Sequence, residues 1–157
     1  MWPGKNKSGY QKPGKWLFQL PVQGALVFLG LYFLAANNYP GGSEADRRSI
    51  GFSLLHNYWC NLLNEVALNG ELNRGRVFAV AAMFVLGFTL FVFWYLVAQI
   101  LPFSRQGKLV LTGCGLGSAL AVFLLPFGSH DTILNLAGLL GISALMMTLF
   151  MLWRLKE

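Results

Sequence analysis

The chain has 157 residues, of which 55% are hydrophobic and only 11% are charged. An average soluble domain carries about 25% charged residues, so this chain has too little charge to cover a compact surface in water. The composition therefore excludes a soluble enzyme domain, and the 15% aromatic content excludes a disordered chain. The net charge of +6 fits nucleic acid, an acidic membrane or an acidic substrate until the basic residues are located.

Four apolar segments predict membrane-spanning helices, at about residues 16–36, 77–101, 109–127 and 133–153. About 20 apolar residues are needed to cross the hydrocarbon core, and the last three segments reach that length without a charged residue. The predicted fold is an all-α, polytopic transmembrane helical bundle of four spans, forming one integral membrane domain over residues 1–157.

The first apolar segment follows a basic leader, which is also typical of a secretory signal peptide. Its apolar run is long for a signal, and Leu34 stands where cleavage after Ala36 needs a small residue. These two features favour an uncleaved first helix.

The basic residues predict the orientation. With the N-terminus inside, the two sides of the membrane carry eight and four basic residues, which agrees with the positive-inside rule. The eight are Lys5, Lys7, Lys12, Lys15, Arg105, Lys108, Arg154 and Lys156, and the four are Arg47, Arg48, Arg74 and Arg76. We therefore expect a multi-pass protein of the bacterial inner membrane with both termini cytoplasmic. The charge is an orientation signal, so nucleic acid is not an expected partner and the lipid bilayer is.

The outer loop, residues 37–76, predicts an amphipathic helix over residues 50–68. Its apolar residues Ile50, Leu54, Tyr58, Leu62 and Val66 recur at helical spacing. A polar outer-face cluster accompanies them, formed by Ser53, Asn57, Asn61 and Glu65. Such a helix lies at the membrane interface or over the outer mouth of the bundle.

The candidate catalytic residues are His56, His130 and Asp131, which the predicted topology places on the outer side. Two imidazoles and a carboxylate can hold a zinc ion that activates water. The sequence contains no HExxH motif and no paired cysteines, so we predict neither a metal site nor another cofactor. Ser53 or Ser129 could act as a nucleophile served by a histidine, but no GxSxG motif supports this. Helix capping by Ser129 or Asp131 is the simpler explanation of that segment.

The spans contain pairs of small residues that allow helices to approach closely, Gly113 with Gly117 and Ala137 with Gly141. Their polar residues are uncharged, namely Thr89, Gln99, Thr112, Ser118, Asn135, Ser143 and Thr148. Ion-coupled transporters usually have a charged residue at this depth, so transport by a single chain is disfavoured. Cys60 and Cys114 lie at different depths, and no disulfide is expected.

Three outer-loop segments and His130-Asp131 carry a resemblance: YPGGS at residues 39–43, GFS at 51–53 and NYWCNL at 57–62. The chain resembles bacterial multi-pass membrane proteins of domain-of-unknown-function family 998, distantly related to the DRAM/Frag-type proteins. The resemblance implies no established reaction. It implies more spans than four, and hence a chain shortened or incomplete after Glu157. A shared site would consist here of Asn57, Asn61, His130 and Asp131.

The leading functional hypothesis is a non-enzymatic sensor, scaffold or partner subunit, acting as a homo-oligomer or with another membrane subunit. One alternative is a lipid hydrolase or transferase at the membrane interface that uses His56, His130 and Asp131. A second alternative is a channel or small transporter, which would need oligomerisation to build a polar path.

Overall fold

The computed structural model describes residues 14–156. Lys5, Lys7 and Lys12 of the predicted orientation signal, together with Glu157, lie outside the described residues. The four α-helices are α1 (Leu20–Asn37), α2 (Arg76–Ile100), α3 (Arg105–Leu124) and α4 (His130–Arg154). All are long and apolar enough to cross a membrane, the first of them as Trp16–Asn37 with the short 3-10 helix that precedes it. The predicted all-α fold with four spans is confirmed, and no strand occurs between residues 14 and 156.

The helix ends follow local chemistry. Pro21 lies in the first turn of α1, where a proline costs no intrahelical hydrogen bond. α3 begins at Arg105, four residues before the predicted start, because Ser104 caps it by accepting a hydrogen bond from the Gly107 amide at 3.1 Å. Ser129 occupies the N-cap position of α4 as predicted, but its side chain makes no capping hydrogen bond.

The helices pack in chain order and form a row. Interfaces of similar extent join α1 to α2, α2 to α3, and α3 to α4, whereas α1 and α4 form no comparable interface within the described chain. Glycines allow the close approaches: Gly24 lies against Thr89 on α2, and Gly115 of α3 lies against the ring of Trp94 on α2. In the most apolar 18-residue stretch of α4, only 11% of the residues are buried, so most of this helix faces the surroundings.

The predicted small-residue pairs divide between the interface and the outside. Gly117 lies beside Leu140, and Gly141 lies beside Ser118, so both are at the α3–α4 interface. Ala137 is half-buried. At Gly113, no atom of another element lies within 4 Å of the position that a Cβ would occupy, so this side of α3 is unpacked within the described chain.

The predicted amphipathic helix over residues 50–68 is wrong. This segment contains only one 3-10 helix, Trp59–Leu63, and the residues on either side of it, Tyr58 and Asn64, have extended backbone. Gly51 has a φ of 71°, which also breaks a helix. The Asn57 side chain accepts from the Ser53 amide and donates to the Gly42 carbonyl, and such side-chain bonds to the backbone favour irregular structure over a helix.

Residues 38–75, which we call the cap, fold as a compact unit on one end of α1 and α2. Leu62, Leu63, Ala67 and Tyr39 are the cap's contribution to a buried apolar cluster. The helices contribute Tyr32, Ala35, Ala79, Ala82 and Met83 to the same cluster. The connection between α3 and α4 lies at this same end of the row.

The contact between Gly115 and Trp94 yields a stability prediction. We expect Gly115→Val to lower the free energy of unfolding by about 1–3 kcal/mol, the usual cost of overpacking, because the added atoms would overlap the indole ring. Thermal unfolding of the detergent-solubilised protein measures this change. Gly113→Val is the matched control, since it adds the same side chain to α3 in open space. Equal stability of the two variants would contradict the packing described here.

Candidate functional site at the capped end of the helices

The cap is held together by side-chain amides that bond to backbone groups. Asn57 is 7% exposed. Its nitrogen donates to the Gly42 carbonyl at 2.9 Å, and its oxygen accepts the Ser53 amide hydrogen at 2.9 Å. Gly42 has a φ of 84° and lies against the backbone of Leu68, so a side chain would fit neither the conformation nor the space. Asn57 therefore links the turn at Gly42 to the segment around Ser53 within the first half of the cap.

Asn73 links the start of α2 to the 3-10 helix in the second half of the cap. Its nitrogen donates to the carbonyl oxygens of Leu62 at 3.0 Å and Asn64 at 2.9 Å, with that of Asn61 at 3.5 Å. Arg76 donates from Nε to the Leu63 carbonyl at 3.0 Å. These bonds satisfy the free carbonyls of the 3-10 helix, which otherwise would be buried without partners.

An apolar cavity of about 360 Å³ lies beneath this 3-10 helix. The cap forms its roof, and all four helices contribute to its walls and floor. The lining residues are Tyr32, Tyr58, Trp59, Cys60, Leu63, Met83, Leu86, Val122, Leu125, His130 and Leu134. Its volume lies in the range of about 300–1,000 Å³ that is typical of ligand pockets.

Tyr32 and Trp59 form one wall of the cavity. Their rings stack with centroids 5.3 Å apart and an angle of 24° between the planes. A second apolar void of about 230 Å³ shares these two residues and extends towards Phe52 and Leu54. The stacked pair thus lines both voids at the boundary between α1 and the cap.

The predicted catalytic residues do not line one pocket. His130 lines the cavity, and its Nδ1 lies 3.3 Å from the carboxylate of Asp131. His56 is exposed on the cap, where its Nδ1 lies 3.2 Å from the Ser53 hydroxyl. Within residues 14–156 no group of three or more His, Cys, Asp or Glu side chains is arranged to hold a metal ion.

The predicted polar cluster of Ser53, Asn57, Asn61 and Glu65 does not form one face. Asn57 and Asn61 are buried inside the cap, and the Asn61 amide nitrogen has no acceptor among the described residues. Glu65 is exposed and forms an ion pair with Arg76 at 3.3 Å. The buried members of the cluster therefore stabilise the cap, while Ser53 contacts His56.

Cys60 is the thiol in the cavity lining. Burial raises the pKa of its thiol, hydrogen bonds to the backbone of Cys60 and Asn61 lower this pKa by less, and the charges of Asp131 and Glu44 raise it slightly. A thiol with a raised pKa stays protonated at neutral pH and is a weak nucleophile. Cys60 and Cys114 are both free.

Tyr32 and Trp59 were missed as candidate residues by the sequence analysis. A tyrosine and a tryptophan near the membrane boundary are ordinary interfacial residues, so neither suggests a ligand cavity by itself. Only the path of the cap brings Trp59 onto Tyr32, 27 positions earlier in the chain.

Comparison with known proteins yields no relative. No family model, no curated protein and no solved structure matches the chain. The resemblance to domain-of-unknown-function family 998 therefore stays a prediction, as does a shared site at Asn57, Asn61, His130 and Asp131.

The hydrogen bonds of the asparagine side chains predict that Asn73, and not Asn64, stabilises the cap. We expect Asn73→Ala to destabilise the cap by about 1–3 kcal/mol, because it leaves buried carbonyl groups without a donor. Faster hydrogen exchange and faster proteolysis within residues 38–75 would report the change. Asn64→Ala is the control, since the exposed Asn64 side chain makes no such bond. Equal protection of the cap in both variants would show that the Asn73 amide is dispensable.

Proposed function

We propose that this membrane protein is a non-catalytic partner subunit or scaffold, and that α4 is the helix through which it contacts its partner. The observation that carries the proposal is the position of Asn135. This side chain is exposed on α4, inside the apolar span, and makes no hydrogen bond within the described chain.

Asn135 lies five residues after the start of α4, or about 8 Å along the helix axis. A primary amide exposed to hydrocarbon loses its hydrogen bonds to water and gains none from lipid chains. Amide side chains in membrane helices are instead satisfied by hydrogen bonds to a neighbouring helix. An amide is both donor and acceptor, so the Asn135 side chains of two copies can satisfy each other across a twofold axis.

Gly138, almost one turn further along α4, supports this role. It is exposed, and no atom of another element lies within 4 Å of the position that a Cβ would occupy. A glycine beside an exposed amide allows a second helix to approach closely enough to bond to it. Among the described residues α4 has an extensive interface with α3 alone, so the exposed face with Asn135 and Gly138 can receive a second helix.

The orientation with both termini in the cytoplasm, and the bacterial inner membrane as the location, belong to the same proposal. Their support is the distribution of basic residues between the two ends of the helices. In this orientation the cap and the cavity face the extracytoplasmic side.

A lipid hydrolase or transferase is the alternative that has an observation in its favour. The contact of 3.2 Å between the Ser53 hydroxyl and His56 Nδ1 resembles a nucleophile beside its base. No side chain among the described residues bonds to the other ring nitrogen to orient it. Covalent labelling of Ser53 by a fluorophosphonate probe would favour the enzyme over the subunit, as would loss of labelling in His56→Ala.

The contact through α4 predicts cross-linking between copies. In a chain with Cys60→Ser and Cys114→Ser, we expect the Gly138→Cys variant to form a disulfide-linked dimer in oxidised membranes. Adding Asn135→Leu should lower the dimerisation constant about three- to thirtyfold, and the dimer fraction with it, because interhelical polar bonds contribute about 0.6–2 kcal/mol. Non-reducing gel electrophoresis measures the dimer.

Ser143→Ala is the matched control for Asn135→Leu. Ser143 is another polar residue of α4, but its hydroxyl already donates to the Leu139 carbonyl at 2.7 Å. The dimer fraction should be unchanged in this variant. A dimer fraction that is unchanged by Asn135→Leu would contradict the proposed contact through α4.

The orientation is tested with single cysteines in the same cysteine-free background. Ala45→Cys on the cap and Gln106→Cys on the first turn of α3 are both exposed, at opposite ends of the row. We expect a membrane-impermeant maleimide to label only Ala45→Cys in intact cells, and both variants after lysis. Labelling of Gln106→Cys alone in intact cells would reverse the orientation.

A further inference from the structure

We propose that the cavity beneath the cap binds one hydrocarbon chain of a bilayer lipid whose headgroup is neutral or zwitterionic. This inference does not rest on the contact through α4, although Leu134 of the cavity lining is the residue that precedes Asn135. Its basis is the position of the cavity, the chemistry of its lining and its size.

The cavity is not fully enclosed, and it is lined by Tyr32 of α1 and by His130 and Leu134 of α4. Within the described chain these two helices form no interface comparable to those between neighbours in the row. We infer that the cavity is open to the bilayer between them. Leu134 at this opening is 51% exposed, and on the predicted topology it faces the hydrocarbon of the bilayer.

The lining favours a hydrocarbon chain over water. The floor is formed by aliphatic and thioether side chains, among them Met83, Leu86 and Val122. A bound water needs two to four polar partners, whereas apolar cavities stay dry and accept apolar molecules. In a bilayer, lipid chains are the apolar molecules at the opening.

A hydrocarbon chain suits this space better than a helix of a second copy. The cap lies over the cavity, and an α-helix with its side chains is about 10–12 Å across. A flexible chain needs a narrower passage than a helix does.

The charge of the side chains in and beside the cavity lining indicates which lipid headgroup is preferred. The lining contains no lysine or arginine, and its side chains with a polar atom are Tyr32, Tyr58, Trp59, Cys60 and His130. The carboxylate of Asp131 is 98% exposed and bonded to His130. An anionic headgroup would meet the carboxylate of Asp131 and no lysine or arginine in the lining, whereas the ammonium group of a zwitterionic lipid could approach Asp131.

The experiment uses the full chain in nanodiscs of phosphatidylcholine that contain a small fraction of a lipid with a photoactivatable acyl chain. After illumination, mass spectrometry of peptides locates the adducts. We expect adducts to concentrate at Tyr58, Trp59, Cys60 and Leu134, the cavity positions nearest the opening and roof. Substituting a phosphatidylglycerol headgroup on the same acyl chain should lower these adducts at least threefold.

Two variants of α3 separate the cavity from the general lipid-facing surface. Val122→Phe fills the cavity and should lower the adducts at the cap residues Tyr58, Trp59 and Cys60 about tenfold, whereas Leu134 also contacts bulk lipid. Val110→Phe is the matched control on the exposed face of α3, and it should leave them unchanged. Leu134→Trp narrows the opening from an exposed position. It should lower the adducts at the three cap residues even if Val122→Phe fails to fold.

Adducts spread evenly along α1 and α4, and insensitive to Val122→Phe and Leu134→Trp, would overturn the lipid site. Equal adduct formation by phosphatidylglycerol would overturn the headgroup assignment. Asn135→Leu should leave the cavity adducts unchanged, so failure of the subunit proposal and failure of the lipid site give different results.

Discussion

The satisfaction of backbone hydrogen bonds in the cap is the constraint on which the rest of the structure depends. A non-helical segment packed on the ends of apolar helices exposes carbonyl and amide groups that need partners. Asn57 and Asn73 supply them from buried side chains, and the Tyr39 hydroxyl accepts the Leu68 amide hydrogen at 2.9 Å. With these bonds made, the cap can bury leucines against α1 and α2 without forming a regular helix.

The roof of the cavity follows from the same bonds. Asn73 and Arg76 hold the carbonyls of the 3-10 helix, and this fixes Trp59 on Tyr32 and places Cys60 and Leu63 over the helices. Among the described residues α1 and α4 form no interface comparable to those between neighbouring helices, yet both line the cavity. The apolar cavity is thus the combined result of a polar network in the cap and the arrangement of the four spans.

The spans were predictable because hydrophobic length alone decides which segments can cross a bilayer. The irregular structure of residues 50–68 was not predictable in this way. The 3.6-residue periodicity there predicted a helix, but it arises from residues whose side chains have unrelated contacts. Leu62 points into the apolar cluster, Asn57 bonds to Gly42, and Ile50 is 98% exposed. In the same way, Gly113 and Gly115 are equivalent in sequence, yet only Gly115 lies against Trp94, because contact depends on which face of α3 meets α2.

By itself, the sequence determined the number of spans and their approximate limits, since these follow from local composition and need no knowledge of neighbours. It also placed His130 and Asp131 beside each other at the start of α4, as adjacent residues must be. The tertiary structure alone decided that His130 lines a cavity with Tyr32 and Cys60 while His56 bonds to Ser53 outside it. The physical reason is that these contacts join residues far apart in the chain, through a cap whose path is set by buried amides rather than by hydrophobic periodicity.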